Sequence, residues 1–230
     1  MNLQDTATSK LGNVLQRIAD SASQCGRQAE KITLIAVAKG QSCQTMRALA
    51  EAGQKHFGEN YLQEGLAHQS ALDDLPLCWH FIGPLQSNKT REVAEHFAWV
   101  HSLDRLKIAR RLDSQRPQSL PPLDVCLQVN ISGEQSKSGV NPEELPALAA
   151  EITRLPRLRL RGLMAIPAPA SSEDAQRAPC RQLREALESL NAAGHKLDVL
   201  SMGMSGDLEA AIAEGGTHVR VGTALFGPRR

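Results

Sequence analysis

The run Thr33-Leu34-Ile35-Ala36-Val37-Ala38, with Lys39 directly after it, decides the fold. Its apolar stretch is far shorter than the ~20 residues of a membrane span. It also lacks the polar alternate positions of a strand with one wet face, as expected of a strand buried on both sides of a parallel sheet. Outward from it, similar runs recur at 56–59 (HFGE), 79–83 (WHFIG), 98–103 (AWVHSL), 124–130 (DVCLQVN), 160–166 (LRGLMAI), 198–203 (DVLSMG) and 218–222 (HVRVG). Together with 33–38 they predict eight strands.

Helical spacing fills the intervals. Met46, Leu49, Ala50 and Gly53 form one pattern, Thr90, Val93, Ala94 and Phe97 a second, and Leu183, Ala186, Leu187 and Leu190 a third. Ahead of the first strand, Leu11, Val14, Leu15, Ile18 and Ala22 predict an extra N-terminal helix that Gly26 stops. Ser42 reads as an N-cap, Asn141 with Glu144 as a capping box, and Gly215-Gly216 as the stop of the last helix. Pro146 and Pro179 fall near two boundaries, and 167–180 (PAPASSEDAQRAPC) reads as a loop after strand six. Strands that alternate with helices across short connections predict an α/β fold, a single (β/α)8 TIM barrel, as one domain over residues 1–230. A doubly wound open sheet is the alternative.

Composition narrows the function classes. With 26 basic and 25 acidic residues spread along the chain, the net charge is +1 and no basic stripe offers itself to nucleic acid. Five scattered cysteines without a C-x-x-C pair suggest reduced thiols rather than a disulfide framework or zinc knuckle. No leader or spanning segment stands out, so the expected setting is the cytoplasm, with no membrane partner. The nucleotide-binding, metalloprotease and serine-hydrolase motifs are all absent from the sequence. The seven histidines form no ligand cluster along the chain, so no metal site is expected. His80 and His101 read as core histidines, and Asn60 as a cap or a site residue at the end of strand two.

Lys39 ends the first strand, and in such barrels the C-terminal strand ends form the active-site mouth. Burial there would favour the neutral amine, the form that attacks an aldehyde. The plainer possibility is a lysine reaching from a strand end into solvent. In His218-Val219-Arg220-Val221-Gly222, period two places the valines on one face and Arg220 on the other. Arg220 then points either into the barrel or outward to a carboxylate on the last helix. Ser201, Ser205-Gly206 and Gly222-Thr223 fall after strands seven and eight, where barrels of this kind often hold a phosphate.

Longer motifs give a resemblance. Phe57-Gly58-Glu59-Asn60-Tyr61, Trp79-His80-Phe81-Ile82-Gly83-Pro84-Leu85-Gln86-Ser87-Asn88-Lys89, Gly162-Leu163-Met164-Ala165-Ile166-Pro167 and Leu200-Ser201-Met202-Gly203-Met204-Ser205 resemble the pyridoxal phosphate homeostasis protein family. Val129-Asn130 and Arg220-Val221-Gly222-Thr223 extend the resemblance over nearly the whole chain. That family is itself similar to the N-terminal barrel of bacterial alanine racemase, a fold-type III pyridoxal phosphate-binding domain. The resemblance implies that Lys39 carries pyridoxal 5'-phosphate as an internal aldimine and that Arg220 faces the pyridine nitrogen. It also implies that Ser201, Gly222 and Thr223 approach the phosphate and that Asn60 belongs to the same cofactor site. Where the family usually has serine-lysine-threonine, this chain has Ala38-Lys39-Gly40.

A permanent cation beside the ring nitrogen opposes its protonation and weakens the cofactor as an electron sink. Racemases of this resemblance use a second acid-base tyrosine. The only tyrosine here, Tyr61, reads as a helix-surface residue. The expected function is therefore non-catalytic: buffering or delivery of the cofactor to pyridoxal phosphate-dependent apoenzymes by a monomer. A pyridoxal phosphate-dependent amino-acid racemase and a cofactor-free Schiff-base aldolase are the alternatives.

Overall fold

In a computed structural model that describes residues 2–132 and 138–227, the eight expected runs form one closed parallel barrel in sequence order. The strands are β1 (Thr33–Val37), β2 (His56–Glu59), β3 (Cys78–Phe81), β4 (Trp99–Leu103), β5 (Leu123–Gln128), β6 (Leu158–Met164), β7 (Val199–Ser201) and β8 (His218–Val221). Pairing of β1 with both β2 and β8 closes the ring, with Ala36 opposite Phe57 and Ile35 opposite Arg220. This rules out the open-sheet alternative. The helices are α1 (Leu3–Gln24), α2 (Cys43–Glu51), α3 (Leu62–Ala71), α4 (Thr90–His96), α5 (Leu106–Gln115), α6 (Leu145–Thr153), α7 (Glu173–Ala192), α8 (Leu208–Ala213) and α9 (Thr223–Phe226).

The N-terminal helix completes the outer ring. Among the described residues β8 is followed by the four-residue α9, too short to cover the seam between β8 and β1. The 22-residue α1 packs against α2, α8 and α9 and fills the place of an eighth outer helix. Leu11, Val14, Ile18 and Ala22 face inward as expected, whereas Leu15 is exposed. Each large apolar side chain buried in this way contributes about 1.5–3 kcal/mol. Asn2 and Asp5 form a capping box at the start of α1, and Gly26 turns the chain at φ +66°.

Two local expectations need correction. Residues 167–172 are loop, but 173–180 belong to α7, because Ser172 accepts the Ala175 N–H and Glu173 and Asp174 occupy the first turn. Pro179 sits inside that helix, where it removes one backbone donor without ending the helix. The Asn141–Glu144 capping box is also absent. Pro142 starts a 3-10 turn over Pro142–Glu144, and Asn141 instead donates its side-chain amide to Glu144 (3.3 Å). Ser42 does cap α2, and Gly215 turns the chain after α8 at φ +97°.

Glu214, buried at the end of α8, receives Arg177 (2.9 Å), Arg181 (3.2 Å) and Arg184 (3.4 Å) from α7. Burial would raise its carboxyl pKa, but the hydrogen bonds from Arg181 and Arg177 outweigh burial and lower it. A lowered carboxyl contributes stability that is present above its unfolded pKa of about 4.3 and is lost as pH falls through the folded value. Glu214→Gln is expected to cost about 1–2 kcal/mol at pH 7, at the modest end because the arginines are partly solvated. Urea unfolding at pH 7 and pH 4 should show that difference shrinking in acid.

Candidate functional site

Two layers of apolar packing place the site. Val219 and Val221 join the large core between strands and helices, while Trp99, Cys126, Met164 and Val199 fill the barrel interior. Strand alternation therefore turns Arg220 inward, where it is 4% exposed. Its Nη1 donates to Ser201 Oγ (2.8 Å) and its Nη2 to Ala165 O (2.9 Å). It makes no ion pair among the described residues, so the outward alternative fails. Burial pushes its pKa down to about 10, which still leaves a cation at neutral pH.

Gly222 lies two residues along β8 from Arg220, one layer closer to the C-terminal mouth. There a cavity of about 200 Å³ is lined by Val37, Lys39, Gln41, Asn60, Gly222 and Thr223. A second cavity of about 480 Å³ shares Asn60 and continues along Ile82, Gln128, Ile166 and Met204. Four of the six residues singled out in the sequence, Lys39, Asn60, Gly222 and Thr223, thus meet at one rim. Ser201 and Arg220 lie beneath them, and Ser201 is fully buried.

The loop that carries Lys39 is tied down by α3. Gly40, at φ +71°, occupies the left-handed region that favours glycine, and its N–H donates to the Glu64 carboxylate. His68 lies with Nε2 3.1 Å from Gln41 O, which can only accept, and Nδ1 2.7 Å from the buried Glu59 Oε1. Burial raises the Glu59 pKa, and the bond to Glu59 raises that of His68, so the pair shares a proton. Asn60 is fixed by a close approach, since a Cβ on Gly83 would lie 2.0 Å from Asn60 O. Lys39 itself is half-buried rather than enclosed.

One site residue reads differently in the sequence, and one that the sequence singled out gains a definite role. Tyr61 is exposed at 54%, but it does not sit on the helix surface away from the site. Its ring centre lies 4.8 Å from Lys39 Nζ. Only its place at the end of the motif Phe57 to Tyr61 signalled its position. Ser205 Oγ accepts the Ala224 N–H (3.4 Å) and so braces the start of α9 from the loop after β7.

The interior also holds a hydrogen-bonded histidine file. His101 Nδ1 is 2.8 Å from Ser201 Oγ, His101 Nε2 is 2.9 Å from His80 Nδ1, and His80 Nε2 is 3.0 Å from His56 Nδ1. Burial lowers the pKa of His80, His101 and His218, the last to about 4, so these rings are neutral at pH 7. His80 and His101 are hydrogen-bonded core histidines, as expected, and residues distant in sequence converge because they start or centre neighbouring strands.

A buried cation that makes no ion pair among the described residues, beneath a rim bearing a lysine amine, suits a ligand with a ring-nitrogen acceptor and a carbonyl. Residues 14–230 match the family model described as alanine racemase, N-terminal domain. The "pyridoxal phosphate homeostasis protein" of Pseudomonas aeruginosa is 59% identical over 224 residues, 97% of this chain and 96% of that protein. PipY of Synechococcus elongatus, solved with PLP bound, superposes with a TM-score of 0.80 at 39% identity, covering 91% of this chain and 100% of that one. An alanine racemase from Corynebacterium glutamicum shares the fold, with a TM-score of 0.76 at 16% identity over 98% of this chain and 62% of that one. The chain belongs to the alanine racemase N-terminal domain family and, within it, to the pyridoxal phosphate homeostasis proteins.

Proposed function

We propose that this chain, read as one cofactor-binding domain over residues 1–230, holds pyridoxal 5'-phosphate reversibly on Lys39 and serves to buffer or deliver it. The observation that carries this reading is the meeting of Lys39, Asn60, Gly222 and Thr223 at one mouth above the unpaired guanidinium of Arg220. When bound, the cofactor supplies an aldehyde for a lysine amine and a ring able to take up electrons. Lys39 provides that amine. Thr223 starts α9, and its N–H, without an intrahelical partner, suits a phosphate with Gly222 beside it, while the next N–H, of Ala224, is held by Ser205 Oγ. Arg220 offers N–H donors to the ring nitrogen, and its fixed charge keeps a proton off that atom. Ser201, beneath the rim, acts by orienting Arg220 rather than by touching phosphate.

Carriage is favoured over turnover because racemisation needs acid-base groups on opposite faces of the reacting carbon. Tyr61 lies against the Lys39 ammonium and so shares its side. The recipients we infer are pyridoxal phosphate-dependent apoenzymes in the cytoplasm, reached by a monomer. All five cysteines are unpaired, and no described helix is long and apolar enough to cross a membrane. The test is to mix loaded protein with excess L-alanine in deuterated water. Release of cofactor to the amine, without α-deuteration faster than free cofactor gives, is expected. Faster α-deuteration would favour the racemase, and cofactor that never leaves would contradict delivery. A protein that stays colourless after mixing with the cofactor would favour the cofactor-free aldolase.

A further inference from the structure

We propose that His56, Cys78 and His80 form a zinc-class metal site at the end of the barrel opposite Lys39. His56 and Cys78 begin β2 and β3 and stand opposite each other in register, while His80 lies two residues further along β3 on the same inward face. One donor atom from each falls within 4.8 Å of the others. His56 and Cys78 are half-exposed, so an ion can enter from solvent, and His80 is buried beneath them.

The donor set suits zinc: two imidazoles and one thiolate, with the fourth tetrahedral position left to water. At zinc–nitrogen distances of ~2.0–2.1 Å, tetrahedral ligand nitrogens lie about 3.3–3.4 Å apart. His56 Nδ1 and His80 Nε2 are already 3.0 Å apart, so an ion can replace the proton they share after a small opening. The Cys78 sulfur lies within 4.8 Å of both nitrogens, so a bound ion requires it to close to the ~2.3 Å zinc–sulfur distance.

The support behind the ligands is also present. A metal-bound histidine usually donates its other N–H to a fixed acceptor, which sets the tautomer. Here His80 Nδ1 faces His101 Nε2 at 2.9 Å, and His101 Nδ1 faces Ser201 Oγ at 2.8 Å. A hydroxyl oxygen accepts twice, so Ser201 can take both His101 and Arg220. Binding would release the Cys78 thiol proton to solvent, while the His56 proton moves to Nε2. Lys55 is a nearby cation that opposes binding, the thiolate formed at Cys78 offsets it, and Arg161 is already paired with the buried Asp124 and with Asp198.

The test uses the intact chain freed of metal by chelator. Cobalt(II) is expected to bind one per chain with an intense thiolate-to-metal charge-transfer band, and zinc(II) to displace it. Cys78→Ser should abolish the band, and His56→Ala should weaken binding at least tenfold, while Cys25→Ser at an exposed cysteine changes neither. As a check free of folding effects, zinc should slow alkylation of Cys78 but not Cys25 in the unaltered chain, read by peptide mass. Cobalt binding that survives both site substitutions, no binding at all, or equal alkylation with and without zinc would overturn the site.

Discussion

Arg220→Leu is expected to leave the cofactor-free protein within about 1 kcal/mol of the parent while weakening pyridoxal 5'-phosphate binding roughly 10- to 100-fold. The stability half follows from two opposed effects. Removing a buried cation that has no carboxylate partner among the described residues relieves a desolvation cost of several kcal/mol. Leaving Ala165 O without its donor costs about 1–3 kcal/mol, whereas Ser201 Oγ keeps His101 at 2.8 Å. The binding half follows from losing a charge-assisted donor, typically about 1.5–3 kcal/mol, to the ring nitrogen. Urea unfolding of the free protein and an absorbance titration measure the two halves. A variant destabilised by more than about 4 kcal/mol with unchanged affinity would make Arg220 a structural keystone instead.

Gly162→Ala is expected to prevent folding altogether. A Cβ there would lie 1.8 Å from Val199 O and 2.9 Å from Val199 Cα, and both atoms belong to the backbone of β7. No rotamer can relieve that contact, so β6 and β7 would have to part, with an expected loss above about 4 kcal/mol, a large share of a domain's stability. Gly12→Ala is the contrast. In α1 a Cβ at Gly12 meets nothing within 4 Å, and alanine there should stabilise by about 0.5–1 kcal/mol. Circular dichroism and soluble yield compare the pair. A folded Gly162→Ala chain melting within a few degrees of the parent would contradict the packing argument.

What was legible in the sequence was local. Runs such as Leu34 to Ala38 report burial on both faces, and the alternation of Val219, Arg220 and Val221 put the arginine on the face opposite the valines, while the packing of those valines against the helices made that face the interior. Rim positions were legible because barrels place chemistry at strand ends, which is how Lys39, Asn60, Gly222 and Thr223 were found together. The misses needed tertiary knowledge. The Ser- and Pro-rich stretch before Cys180 looked like loop because helix propensity cannot see that Leu183 and Leu187 anchor a helix begun at Glu173. That Ser201 is fully buried and bonded to Arg220 was likewise not legible, because nothing in the chain shows how far below the rim β7 ends. His56, His80, His101 and His218 are separated by whole βα units, so only closure of the barrel brings them together.

The most direct test of the central claim is to load the purified protein with pyridoxal 5'-phosphate, reduce with borohydride and map the fixed adduct by peptide mass. A single adduct on Lys39, absent from Lys39→Ala, is the predicted result. An adduct on another lysine with Lys39 unmodified, or no adduct at all, would contradict it.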